Sequence, residues 1–141
     1  MNATRYLPFA GRLLIGLPFV MAGLSKLGTY DQTINMIAGA GLPVPPLAFA
    51  VAVAVEVGCG LLLVAGYRAR AAALVLALFS AATAVSFHGN FADPNQMTHF
   101  LKNIMLAGGL LQIVAFGAGA FSIDSRRGNG REPAARVAIA G

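Results

Sequence analysis

This chain of 141 residues has a single cysteine, Cys59, and no tryptophan. One thiol can neither close an intrachain disulfide nor form a dithiol pair, so disulfide shuttling within the chain is excluded. Charge is scarce too: 11% of residues are charged and 57% are hydrophobic, with a mean hydropathy of +0.73. A soluble domain carries about 25% charged residues, so this composition is that of a membrane protein. Acidic groups are the rarer sign, five against ten basic. The sequence contains no CxxC, no glycine-rich phosphate loop and no nucleophile–base pair. The only histidines are His88 and His99, with Asp93 between them. Their spacing matches no recognised ligand motif, so neither a metal nor an intrinsic haem is expected.

Long apolar runs fill the rest. The most informative is Leu47–Val64, LAFAVAVAVEVGCGLLLV, whose only charge is Glu56. At 1.5 Å per residue it spans about 27 Å, enough to cross a bilayer core. A carboxylate at that depth costs a few kcal/mol and must face protein or water rather than lipid. Ala52 and Gly60 lie one turn to either side of it, and Ala54 and Gly58 form a second small pair. Small residues at this spacing let another helix approach closely, which places Glu56 at a helix–helix seam.

Three further spans follow from the same pattern. The first runs from Leu7 to Leu24 and contains Arg12 and Pro18. Arg12, one turn inside its start, is expected to snorkel back to its own interface. Ser25-Lys26 follows this run without a small-residue cleavage site, so it reads as a retained span rather than a leader. The third span is Ala71–Phe87, and the fourth runs from about His99 to Phe116, with Lys102, Asn103 and Gln112 in it. Between the first two spans, Thr29–Ala38 reads as a short surface helix ended by Gly39 or Gly41, and LPVPP then leads into the second span. The expected fold is all-α: a four-helix transmembrane bundle with a short surface helix in the first outer loop. Residues 1–124 make the membrane domain, and 125–141 are expected to be a disordered basic cytoplasmic tail.

The blocks GRLLIGLPFVMAGLSKL, AGLPVPP, VEVGCGLLLVAGYRARAAALVLALF, SFHGNF, HFLKNIMLAGGLL and GAGAFSID follow one another in order. In that order and spacing the chain resembles the DoxX family of small four-span membrane proteins. The resemblance implies a multi-pass protein of the bacterial inner (cytoplasmic) membrane. By block, the family's recurring polar positions fall on Arg12, Lys26, Glu56, His88, Lys102 and Asn103. Named relatives are linked to thiosulfate:quinone oxidoreductase and to oxidative-stress responses, so the theme it implies is redox. The function expected is an accessory or subunit role in a quinone-linked redox or oxidative-stress process, not an enzyme as an isolated chain. No intrinsic cofactor is expected, and a quinone is the one the resemblance allows. A small-molecule transporter or binder built around Glu56, and a membrane scaffold recruiting a partner enzyme, stay open beside it. The partners expected are the lipid bilayer and a partner redox protein. The Arg-rich tail lacks interleaved aromatics and so reads as contacting anionic lipid, not nucleic acid.

No catalytic residue and no metal ligand is assigned. The candidate ligand-binding set is Glu56, Lys102 and Asn103, with Lys26 and His88 at the rim of a polar pocket opening outward. Lys102 is the basic residue expected to answer Glu56, because Arg12 points the other way.

Basic residues also set the orientation. Arg5, Arg12, Arg68, Arg70, Arg126, Arg127, Arg131 and Arg136 belong to the N-terminus, the middle loop and the tail; only Lys26 and Lys102 fall opposite. By the positive-inside rule both termini are expected in the cytoplasm. A C-terminal alkaline phosphatase fusion should therefore be inactive and a fluorescent protein fusion bright; the reverse pattern would contradict this topology.

Overall fold

The computed structural model describes residues 3–129. Four helical spans are long and apolar enough to cross a membrane, Ala3–Gly28, Pro45–Ala65, Ala69–Phe87 and Pro94–Phe116. Helix α1 is the first span, Ala3–Gly28, and holds Pro8 and Pro18 without ending at either. One residue later α2, Tyr30–Gly39, lies across the bundle end. The second span is composite: α3 (Pro45–Val53), a π-helical turn (Ala54–Cys59) and α4 (Gly60–Ala65). The third span is α5 (Ala69–Phe87), the fourth α6 (Pro94–Phe116), and α7 (Ile123–Asn129) closes the described chain.

Local chemistry marks the boundaries. Pro45 and Pro46 open α3, where a missing N–H costs nothing. Asp93 caps α6 by accepting from the backbone N–H of Asn95 at 2.9 Å, with Pro94 in the first turn. Gly66, at φ +68°, ends α4 in the left-handed conformation that glycine adopts without penalty.

The first and second spans cross at glycines. A Cβ added at Gly60 would stand 2.8 Å from Val20 Cγ2 and 3.1 Å from the Gly16 carbonyl, and one at Gly16 would stand 3.0 Å from the Gly60 carbonyl. Gly23 is equally tight, 3.0 Å from Glu56 Cβ. The sequence expectation holds for Gly60 but fails for Gly58, where an added Cβ would meet nothing within 4 Å. Gly58 and Ala54 are both exposed, on the side of the span away from the seam. Phe19, Leu63, Leu76 and Leu110 supply the core from all four spans.

Arg12 overturns its expected role. It is 1% exposed and does not snorkel. Its guanidinium donates to the carbonyls of Leu63 and Val64, each at 2.9 Å, and to that of Phe121. The Leu63 carbonyl also accepts from the capping Gly66 N–H at 3.1 Å, and a cation is the group that the carbonyls at a helix C-terminus favour. Residues 121–124 clasp the same end. Asp124 accepts from the backbone N–H groups of Arg68 and Ala69 at 2.8 and 2.9 Å and donates its own N–H to the Gly66 carbonyl at 2.9 Å. Arg127 of α7 lies over the Tyr67 ring at 5.0 Å. Helix α7 thus carries regular structure past the expected boundary at 124; residues 130–141 of the expected tail lie outside the described residues.

The glycine seam generates a contrast. Gly60→Val should lower stability by about 1–3 kcal/mol through overpacking, whereas Gly58→Ala should leave it unchanged or raise it by up to about 1 kcal/mol. Reversible unfolding in detergent micelles compares the two, and equal losses would refute the assignment of the seam to Gly60.

Candidate functional site

Glu56 sits in the π-helical turn of the second span, 6% exposed. Such turns are rare and often mark functional positions. Its partner is Lys26, whose Nζ lies 2.9 Å from Oε1 and 2.8 Å from Oε2. Antiparallel packing explains the pairing. Side chains tilt toward the N-terminus of their own helix, so Lys26, near the C-terminal end of α1, points into the bundle. Glu56, on the oppositely directed second span, points back to meet it. Lys102 lies about two turns inside α6 and is exposed, and among the described residues it makes no ion pair. Lys26, not Lys102, therefore answers Glu56, and a residue expected only at the rim stands at the centre.

Two cavities meet at this ion pair. One, about 410 Å³, lies among the ends of α1, α2, α3 and α5 and is lined by Lys26, Thr33, Ile37, Glu56, Thr83, Ser86 and His88. The other, about 580 Å³, lies between the first, second and fourth spans and is lined by Phe19, Lys26, Glu56, His99, Lys102 and Asn103. The pair forms part of the wall of both. All five sequence-predicted site residues line one cavity or the other: Lys102 and Asn103 the second, His88 the first, and Lys26 and Glu56 both. Asn103 does not bridge to Glu56; its amide donates to the His99 carbonyl of its own helix at 3.0 Å.

His88 and His99 also stand between the cavities, with rings stacked at 5.1 Å between centroids. His88 Nδ1 is 2.7 Å from Gln96 Oε1, which fixes the ring. Among the described residues no three His, Cys, Asp or Glu side chains come together as a metal site would require. The chemistry offered is that of recognition: a buried carboxylate paired with a half-buried ammonium, two imidazoles and a few hydroxyls in otherwise apolar walls.

The family model for DoxX matches residues 7–89. The chain belongs to the DoxX family. Among curated proteins it is similar to the inner membrane protein YphA of Escherichia coli K12, 33% identical over 141 residues, covering 89% of this chain and all of the relative. It is also similar to the inner membrane protein YqjF of the same organism, 35% identical over 115 residues, covering 80% of this chain and 85% of the relative. No solved structure matches the chain at a significant level. The DoxX match contains the first three spans, and with them Lys26, Glu56 and His88; Lys102, Asn103 and His99 of the fourth span lie beyond it.

Sequence reasoning missed Thr33, Thr83 and Ser86 of this DoxX protein as cavity-lining residues and weighed His99 only as a metal ligand. The centrality of Lys26 was within reach, because the rule of side-chain direction applied to Arg12 and Lys102 singles out Lys26 as the inward-pointing cation. A double-mutant cycle checks the pair. Lys26→Met should cost roughly 3–5 kcal/mol, since it leaves the buried Glu56 carboxylate uncompensated, and Glu56→Gln clearly less, because the Lys26 side chain is 25% exposed. The double variant should lose clearly less than the sum, and Lys102→Met should couple to neither. Additive losses at Lys26 and Glu56 would show that the pair contributes nothing as a pair.

Proposed function

We propose that this DoxX-family protein resides in a bacterial inner membrane and binds a lipid-soluble small molecule at the Lys26–Glu56 pair, serving a quinone-linked redox process as an accessory component. The observation that carries this reading is a buried carboxylate, Glu56, paired with the half-buried Lys26 and flanked by two cavities of about 410 and 580 Å³. Ligand sites are typically about 300–1,000 Å³, mostly apolar, with a few polar groups that fix orientation. Both cavities meet that description. A buried ion pair is a poor device for stability alone, because well-packed apolar residues do as well or better. A quinone head suits the polar groups: its carbonyl oxygens accept hydrogen bonds from ammonium or imidazole N–H groups, and its apolar tail belongs in the bilayer. One cysteine allows no dithiol pair within the chain.

A carrier is the second reading, favoured by the ion pair's position between two separate cavities. Opening the pair toward one cavity or the other would expose a bound solute in turn. Proton-coupled uptake in vesicles, abolished by Glu56→Gln, would support the carrier over the redox accessory.

The direct test is purification in mild detergent followed by mass spectrometry of bound lipophilic molecules, alongside titration with a quinone head-group analogue. The expected result is a co-purifying quinone, with analogue binding weakened at least tenfold by Glu56→Gln or Lys26→Met, about 1.4 kcal/mol or more. A protein that carries no lipophilic ligand and does not bind the analogue would end this reading.

A further inference from the structure

The end of the bundle away from the Lys26–Glu56 pair is strongly basic. Arg5, Arg68, Arg70, Arg126 and Arg127 are all exposed there, and among the described residues Asp124 is the one acidic residue beside them. Its carboxylate accepts from the backbone N–H groups of Arg68 and Ala69, not from a guanidinium. The Lys26–Glu56 contact is the one ion pair among the described residues, so none of these five guanidiniums has a carboxylate partner.

Two of them border a cavity. It measures about 510 Å³, lies between the start of α5 and the chain that follows α6, and is lined by Arg68, Arg70, Ala71, Phe116, Ser122 and Ser125. Backbone geometry holds both arginines at its wall. Arg68 has φ +46°, a left-handed conformation that is costly for any residue with a Cβ, and the two bonds to Asp124 fix it. Arg70 folds back over Gly117, where an added Cβ would stand 3.3 Å from its Nε and 3.4 Å from its Nη2. A glycine is therefore what gives this guanidinium its place. Backbone held in a strained conformation by its surroundings is concentrated at binding sites.

Charge and depth together identify the occupant. The guanidinium fork matches the oxygens of a phosphate group. The opposite wall is apolar and belongs to the membrane: Phe116, 80% exposed, is the last residue of the fourth span, and Ala71 lies in the first turn of the third. A phosphate carried on apolar chains satisfies both walls, whereas a free phosphate satisfies only one. A zwitterionic head group would bring its own ammonium against the arginines.

We propose that the cavity bounded by Arg68, Arg70 and Phe116 is a binding site for the phosphate of an anionic phospholipid, whose acyl chains lie against Phe116 and Ala71. Two arginines placed by the backbone make the site, and the remaining basic residues around it only attract. It is independent of the ligand bound at the Lys26–Glu56 pair.

The test titrates the full chain, delipidated in detergent, with phosphatidylglycerol, with phosphatidylethanolamine of the same acyl chains, and separately with inorganic phosphate, read by native mass spectrometry. Wild type should bind phosphatidylglycerol at least about tenfold more tightly than phosphatidylethanolamine. Arg70→Lys and Arg68→Lys keep the charge and lose the fork, so each should cut that preference about fivefold, whereas Arg5→Lys and Arg126→Lys should leave it within about twofold. Gly117→Ala, which changes no charge, should weaken it by displacing Arg70. Thermal unfolding in the same detergent reports that each variant is folded. Equal affinity of wild type for the two lipids would overturn the site. Equal losses at all four arginines, or at none of them, would overturn it as well, by showing attraction to charge alone. Inorganic phosphate that binds as tightly as phosphatidylglycerol and displaces it would assign the cavity to a free anion and end the lipid reading.

Discussion

A charge inside a bilayer has to be answered, and this fold depends on how the first span answers two of them. Near one end, the ammonium of Lys26 meets Glu56 of the second span at 2.8 Å; near the other, Arg12 takes the Leu63 and Val64 carbonyls at the end of the same span. Both contacts need the two helix backbones close together, and the glycines at 16, 23 and 60 make that approach possible. Hydrophobic attraction cannot supply the closeness, because lipid tails are as apolar as leucine side chains. Packing and polar contacts therefore act as one unit. The glycines remove the side chains that would hold the helices apart, and the charges make the resulting contact specific in register.

The apolar spans, the surface helix and the seam at Gly60 were legible from sequence, because each follows from local rules of length, capping and side-chain size. Two assignments were not. Arg12 reads as an interfacial anchor when only its distance from the helix start is considered, since nothing local reveals that three backbone carbonyls from two distant segments converge on it. Gly58 reads as half of a second small pair when the second span is taken as a regular helix. Which face each glycine presents is settled by a neighbouring span that the local pattern does not contain. The candidate site was legible as a set of residues but not as a geometry. The five polar positions do line adjoining cavities, yet the partner of Glu56 depends on which helix runs antiparallel to the second span at that depth.

The π-helical turn at Ala54–Cys59 brings fold and site together. A wider turn in mid-span gives up some helical hydrogen-bond geometry, a cost most acutely felt where no water is available to compensate. Placed around the one carboxylate of the span, it is better understood as positioning Glu56 than as an accident of packing. The same residue then borders two cavities, each sharing Lys26 as a second wall. A purely structural ion pair gains nothing from bordering two cavities, and side chains packed on both sides would hold it more tightly.

The distribution of glycine carries the last step. Gly16, Gly23 and Gly60 are filled by the opposing helix, whereas Gly11, Gly108 and Gly109 face open space or, at Gly109, one distant methyl. In water such an open seam would close or be solvated; in a bilayer it is filled by hydrocarbon. The face between the first and fourth spans, where Gly11 and Gly109 line a cavity of about 280 Å³, is thus a lipid-facing one. The tight seam that secures the charges and the open seam beside it are two uses of the same residue, separated by whether a neighbouring helix packs against it.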